Sequence, residues 1–144
     1  MTLKTIEWKN NSVIMIDQTK LPNSLEYVTY TDYNQVADAI RTLVVRGAPA
    51  IGISGAFGLA LAVLQSDAKE KDQLIQDLET AQKILLKTRP TAVNLAWGLE
   101  KIMSVAKSEK TVEQIRVSIV EVAKQMAEED VKINKEMGKN GAEL

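Results

Sequence analysis

Cysteine and histidine are both absent from this sequence, and that pair of absences narrows its chemistry more than any other feature. Without cysteine there is no disulfide, no thiolate nucleophile and no cysteine-based metal site. Without histidine the commonest acid–base side chain and the commonest metal ligand are missing. Chemistry within the chain must come from carboxylates, lysines, tyrosines, arginines or hydroxyls. This disfavours a self-contained enzyme and leaves carboxylate catalysis open. An excess of one charge is lacking too. Eighteen Lys and Arg against nineteen Asp and Glu leave a net charge of −1, which gives no case for nucleic acid or an anionic membrane as partner. The opening stretch from Thr2 to Asn11 is polar and mixed, not the basic and then apolar run of a signal peptide. The most apolar segment, residues 48–64, contains Ser54 and three glycines and stands at the short limit for a membrane span. Helix packing in a soluble core explains it better, so a cytoplasmic location is the default expectation.

What is present has the balance of an ordinary globular protein: 144 residues, 45% hydrophobic and 26% charged, enough for one domain or one half of a larger protein. The first thirty residues read as strands. Ile6-Glu7-Trp8 and the β-branched run Val13-Ile14-Met15-Ile16 flank Asn10-Asn11, a turn pair that predicts a hairpin. Tyr27-Val28-Thr29-Tyr30 has strand propensity. The period then becomes helical. Thr31 or Asp32 can cap a helix carrying Val36, Ile40, Leu43 and Val44. Gly47 interrupts it, and Pro49 suits the start of a second helix running to about Leu64. Gly52, Gly55 and Gly58 recur in that helix. Each costs roughly 1 kcal/mol in a helix interior, so a close approach by another element is the expected compensation.

A third helix is expected from Ser66-Asp67, with Leu74, Leu78, Ala81 and Leu85 on one face, stopping near Thr88-Arg89 because Pro90 disfavours helical geometry before it. Pro90 can open a fourth, with Leu95, Leu99, Ile102, Met103 and Ala106 on its stripe. Thr111 and Gln114 form a capping-box pattern for a fifth, carrying Ile115, Ile119, Val122 and Met126 and stopping at Gly138. The reading is a mainly α fold with a small N-terminal β region: strands in 1–30, a helical domain in 31–137, and a turn-rich connector in 138–144 leading toward a further domain.

Two segments share one construction: Arg46-Gly47-Ala48-Pro49-Ala50-Ile51-Gly52 and Thr88-Arg89-Pro90-Thr91-Ala92-Val93-Asn94-Leu95. Each sets an arginine before a helix whose first turn holds proline. Free N–H groups at a helix start attract anions, and the helix dipole adds to that. The guanidinium offers a planar fork that matches phosphate oxygens, and Gly47 lets the backbone come close to a ligand. Two of the chain's four arginines (Arg41, Arg46, Arg89 and Arg116) stand at these starts. On physics alone, such an arginine is more often a surface or salt-bridge residue. The glycine series reads as packing, since its spacing is not that of a dinucleotide loop. Glu128-Glu129-Asp130 reads as a solvated face, Asp17 and Asp32 as turn or cap residues, and Trp8 and Trp97 as core or interface.

These two arginine segments, with Ile6-Glu7-Trp8 and Asp17-Gln18-Thr19-Lys20-Leu21-Pro22, resemble the methylthioribose-1-phosphate isomerase family over essentially the whole chain. That family is related to the regulatory subunits of translation initiation factor 2B and to archaeal ribose-1,5-bisphosphate isomerases. The resemblance implies an aldose–ketose isomerisation of 5-methylthioribose 1-phosphate in methionine salvage, with no cofactor and no metal. It implies a substrate site between an N-terminal helical domain and a Rossmann-like C-terminal domain that also forms a homodimer. By position, Arg46, Gly47, Ala48 and Arg89 would contact the sugar phosphate. The implied catalytic cysteine and aspartate would follow Leu144, so this chain would hold part of the binding site and no catalytic residue. The alternatives are a non-enzymatic regulatory or protein-interaction module of the initiation-factor type, or a domain of a ribose-1,5-bisphosphate isomerase.

Overall fold

A computed structural model describes residues 6–17, 26–42, 48–89 and 92–142, and of residues 48, 49 and 130–142 the backbone alone. A three-stranded antiparallel sheet, β1 (Ile6–Lys9), β2 (Ser12–Ile16) and β3 (Tyr27–Tyr30), is ordered β1-β2-β3. Lys9 pairs with Ser12, leaving a two-residue loop in which Asn10 and Asn11 both take positive φ, 53° and 57°. Asparagine tolerates that region, and this loop type matches the twist of its strands. The central strand sends Val13, Met15 and Ile16 into the core. On β3, burial raises the Tyr30 phenol above its ordinary pKa, with the Asp17 and Asp38 carboxylates adding to the effect, so it stays protonated at neutral pH.

Five helices follow: α1 (Tyr33–Arg41), α2 (Ala48–Gln65), α3 (Lys71–Thr88), α4 (Val93–Ser108) and α5 (Val112–Ala142). The expected mainly α architecture with a small β region is the one observed. Asp32 caps α1 in a reciprocal box with Gln35. Thr111 and Gln114 form the expected box at α5, the Thr111 hydroxyl accepting from the Gln114 N–H at 3.2 Å. Helix α2 is the centre of the domain and packs against α1, α3, α4, α5 and β1. Residues 51–63 of it are all buried, so it is apolar on every side, as a helix enclosed by others must be. Its one buried polar side chain, Ser54, donates back to the Ala50 carbonyl at 2.7 Å.

Three boundaries differ from the sequence reading. Helix α3 begins at Lys71, not at Ser66-Asp67. Ser66 is engaged elsewhere: its hydroxyl donates to Asp77 Oδ2 at 2.6 Å and accepts from the Ala68 N–H, which holds residues 66–70 as a bridge between helices. Helix α4 begins at Val93, and Pro90 lies outside the described residues. Helix α5 continues through Gly138 to Ala142. A glycine costs a helix only about 1 kcal/mol, and extending an existing helix needs no new nucleus. Helix α1 ends at Arg41; Leu43 and Val44 lie outside the described residues.

Candidate anion site at two helix starts

Glycines bring the starts of α2 and α4 together. A Cβ built on Gly52, one turn into α2, would lie 2.8 Å from the carbonyl oxygen of Asn94, the second residue of α4. One built on Gly98 would lie 2.5 Å from the Gly52 carbonyl oxygen. Neither distance admits a side chain, so the two backbones touch here and only glycine fits. Gly55 receives Leu95 and Leu99, and Gly58 receives Leu85. The close approach expected of the Gly52, Gly55 and Gly58 series is therefore present. Gly98, which the sequence reading passed over, completes it.

The two starts also share an electrostatic character. Neither α2 nor α4 has an acidic residue in its first turn, and the α4 N-cap, Ala92, offers no side-chain hydrogen bond. The other helices differ: α1 has its Asp32 cap, α3 has Glu70 and Asp72, and α5 has Glu113 and its capping box. Among the described residues, then, the first N–H groups of α4 have no side-chain cap, and neither helix carries a first-turn carboxylate against the positive end of its dipole.

Arg89 stands between α3 and α4. It is the C-cap of α3, and its carbonyl accepts the Ala92 N–H at 3.0 Å in the turn that leads into α4. Its guanidinium, half-buried, makes no hydrogen bond or ion pair among the described residues. The other described arginines are engaged. Arg41 pairs with Asp38. Arg116 donates to three carbonyls, those of Val63 at 3.2 Å, Ser66 at 2.8 Å and Ala68 at 3.2 Å. Ala48 opens α2. Arg46 and Gly47 lie outside the described residues. Of the carboxylates, Asp32 is the α1 cap, as expected, and Glu128 and Glu129 are exposed. Trp8 packs on Phe57 with ring centroids 5.5 Å apart, whereas Trp97 is 56% exposed. No group of three or more potential metal ligands occurs among the described residues. No helix there is long and apolar enough to cross a membrane.

Two helices in backbone contact near their starts, with no acidic residue in either first turn and with Arg89, which has no partner among the described residues, in the turn before α4, offer features that suit a phosphate-sized anion. Comparison with known proteins agrees on the lineage. Residues 44–144 match the initiation factor 2 subunit family. The chain belongs to that family. Its curated relatives in the family include a methylthioribose-1-phosphate isomerase of Trichlorobacter lovleyi, 45% identical over the whole of this chain, and one of Geobacter sp. strain M21, 47% identical. The chain spans 42% of the length of each. Among solved structures of the family, it superposes on a 5-methylthioribose 1-phosphate isomerase from Pyrococcus horikoshii with a TM-score of 0.93 at 43% identity, covering 99% of this chain and 41% of that one. It superposes equally well on translation initiation factor eIF-2B, subunit delta, from A. fulgidus, with a TM-score of 0.92 at 42% identity, covering 99% of this chain and 42% of that one.

Proposed function

We propose that this chain is the phosphate-binding part of an aldose–ketose isomerase acting on 5-methylthioribose 1-phosphate, and that it works with a Rossmann-like C-terminal domain which supplies the catalytic pair. The observation that carries this reading is the close packing of α2 and α4 near their starts, with no acidic residue in either first turn and with Arg89, unpaired among the described residues, in the turn before α4. The names of its relatives supply the substrate. In this reading Arg89 and Arg46 grip the phosphate, while Gly47 and Ala48 bring the α2 start up to it. The chain itself holds and orients, and no residue of it does the proton transfer. The enzyme needs no cofactor, resides in the cytoplasm and forms a homodimer through the domain that follows.

The affinity of this part alone follows from arithmetic. Charge-assisted hydrogen bonds contribute about 1.5–3 kcal/mol each, so two arginines give roughly 3–6 kcal/mol before the cost of association. Millimolar affinity already needs about 4 kcal/mol. The isolated chain is expected to bind substrate no better than millimolar and to turn over none. Calorimetric titration checks this, and micromolar binding would overturn it. In the full-length isomerase, Arg46→Ala and Arg89→Ala are each expected to lower kcat/KM by roughly tenfold to a hundredfold, the loss of one or two such bonds. Unchanged activity in both would remove the phosphate role. A second reading, a regulatory module of the initiation-factor type, draws on the equal likeness to the eIF-2B subunit. It predicts that no full-length form isomerises the sugar phosphate at all.

A further inference from the structure

Two exposed apolar side chains flank the anion site. Val93, the first residue of α4, is 79% exposed, and Trp97, one turn on, is 56% exposed. At a spacing of four they share a face. Each is one position before Asn94 or Gly98, which meet Gly52, so their face adjoins the one that packs on α2. Lys101, a further turn along, holds its ammonium 5.2 Å from the ring centroid. This cation–π contact steadies the indole against its own helix and leaves the rest of the ring open. From Val93 to Trp97 the helix rises about 6 Å, roughly the span of a sugar ring. A molecule anchored by its phosphate at the start of α4 and lying along that helix therefore brings its far end to the indole.

We infer that Trp97, with Val93, forms the specificity contact for the apolar end of the substrate, the methylthio group at the opposite end of the sugar from the phosphate. This rests on the isomerase reading above. Methylthioribose 1-phosphate joins one strongly anionic end to one apolar, polarizable end. The α4 start offers the matching pair in the same order: an unpaired guanidinium and open N–H groups, then an exposed valine and an indole one turn further on. Thioether sulfur makes favourable contacts with aromatic rings. A sugar phosphate with a hydroxyl in place of the methylthio group gains nothing from such a surface.

The test compares methylthioribose 1-phosphate with ribose 1-phosphate, which keeps the phosphate and ring and lacks the methylthio group, in the full-length isomerase. The quantity read is the ratio of the two kcat/KM values. Trp97→Ala is expected to lower that ratio roughly tenfold, the low end of what an apolar pocket discriminates. Arg89→Ala is expected to lower both values together and leave the ratio unchanged. Val93→Ser alters a side chain that is largely in solvent, so it keeps the test alive if Trp97→Ala does not fold; its expected fall is about threefold. An unchanged ratio in the folded variants overturns the inference. In that case, equal loss for both substrates shows that the indole docks against protein. Failure of Arg89→Ala to affect either substrate sinks the phosphate reading instead, so the two failures are told apart.

Discussion

The two ends of α2 are built on opposite principles. At its C-terminal end everything polar is engaged. Arg116 donates to the carbonyls of Val63, Ser66 and Ala68, Gln65 accepts the Tyr33 N–H at 2.9 Å, and Ser66 is bonded to Asp77. A cation at the negative end of a helix also suits the dipole. At its N-terminal end, where α4 also begins, backbone meets backbone through glycine and neither first turn holds an acidic residue. Arg89 takes no carbonyl there, although it sits at the C-cap of α3, where a cation is welcome. One arginine completes the fold and the other is left over from it. A side chain that the fold does not use is available to a ligand, and the proposed phosphate role of Arg89 draws on that.

This contrast is broken or sharpened by substitution. The largest effect is expected at Arg116. Arg116→Ala leaves three carbonyls at the end of the central helix without their donor, and the loss is about 2–4 kcal/mol. Thermal unfolding is expected to shift down by roughly 5–15 °C, at 2–4 °C per kcal/mol for a chain of this size. A shift under 2 °C would mean that water replaces Arg116 without cost and that this end is not as engaged as it looks. Next comes Gly98→Ala. Its new Cβ would meet a backbone oxygen, which no rotamer change relieves. A net cost of about 1–3 kcal/mol is expected, after the gain of roughly 1 kcal/mol in helix propensity. If the proposed isomerase function holds, it is also expected to raise KM in the full-length protein, because it parts the two helix starts. Arg89→Ala is expected to change stability by less than about 0.5 kcal/mol, since the half-buried side chain makes no hydrogen bond or ion pair among the described residues. A chemical denaturation curve shifted as far as that of Arg116→Ala would erase the contrast.

Much of this was legible in the sequence, and the reasons are local. The Asn10-Asn11 hairpin, the Thr111–Gln114 box and the apolar stripe of α4 are short-range signals, and each stands where it was expected. The glycine series announced a close approach without naming its partner, because Gly98 is a single glycine whose role depends on what faces it. The start of α3 was misplaced because Ser66 looks like a cap from sequence alone. Its actual partner, Asp77, is eleven residues away. Arg116 could not have been told from Arg89 by spacing; only the fold puts its guanidinium under the end of α2. For the candidate site, the sequence pointed to the two helix starts and to Arg46 and Arg89, of which Arg46 lies outside the described residues. That α2 and α4 begin side by side, and that Val93 and Trp97 stand open beside them, are consequences of packing.

A smaller effect than at Gly98 is expected at Gly58, midway between the two ends, and it tests what kind of contact makes a glycine necessary. A Cβ there would lie 2.9 and 3.1 Å from the two methyl carbons of Leu85 and 3.5 Å from Val36 Cγ1. The first distances are as tight as the contact at Gly52, but the neighbour is the tip of a flexible side chain. Leu85 is fully buried, so its methyl groups must turn within a packed core, at a cost of about 1 kcal/mol or more. The helix-propensity gain of roughly 1 kcal/mol offsets it. Gly58→Ala is therefore expected to lie within about 1 kcal/mol of the parent in urea denaturation, with an unchanged slope. If it costs as much as Gly98→Ala, the core around Leu85 is as unyielding as backbone, and the seam between α2 and α4 loses its distinction. If it is near neutral while Gly98→Ala is not, then glycine is required only where the two helix starts meet, which is where the proposed anion site lies.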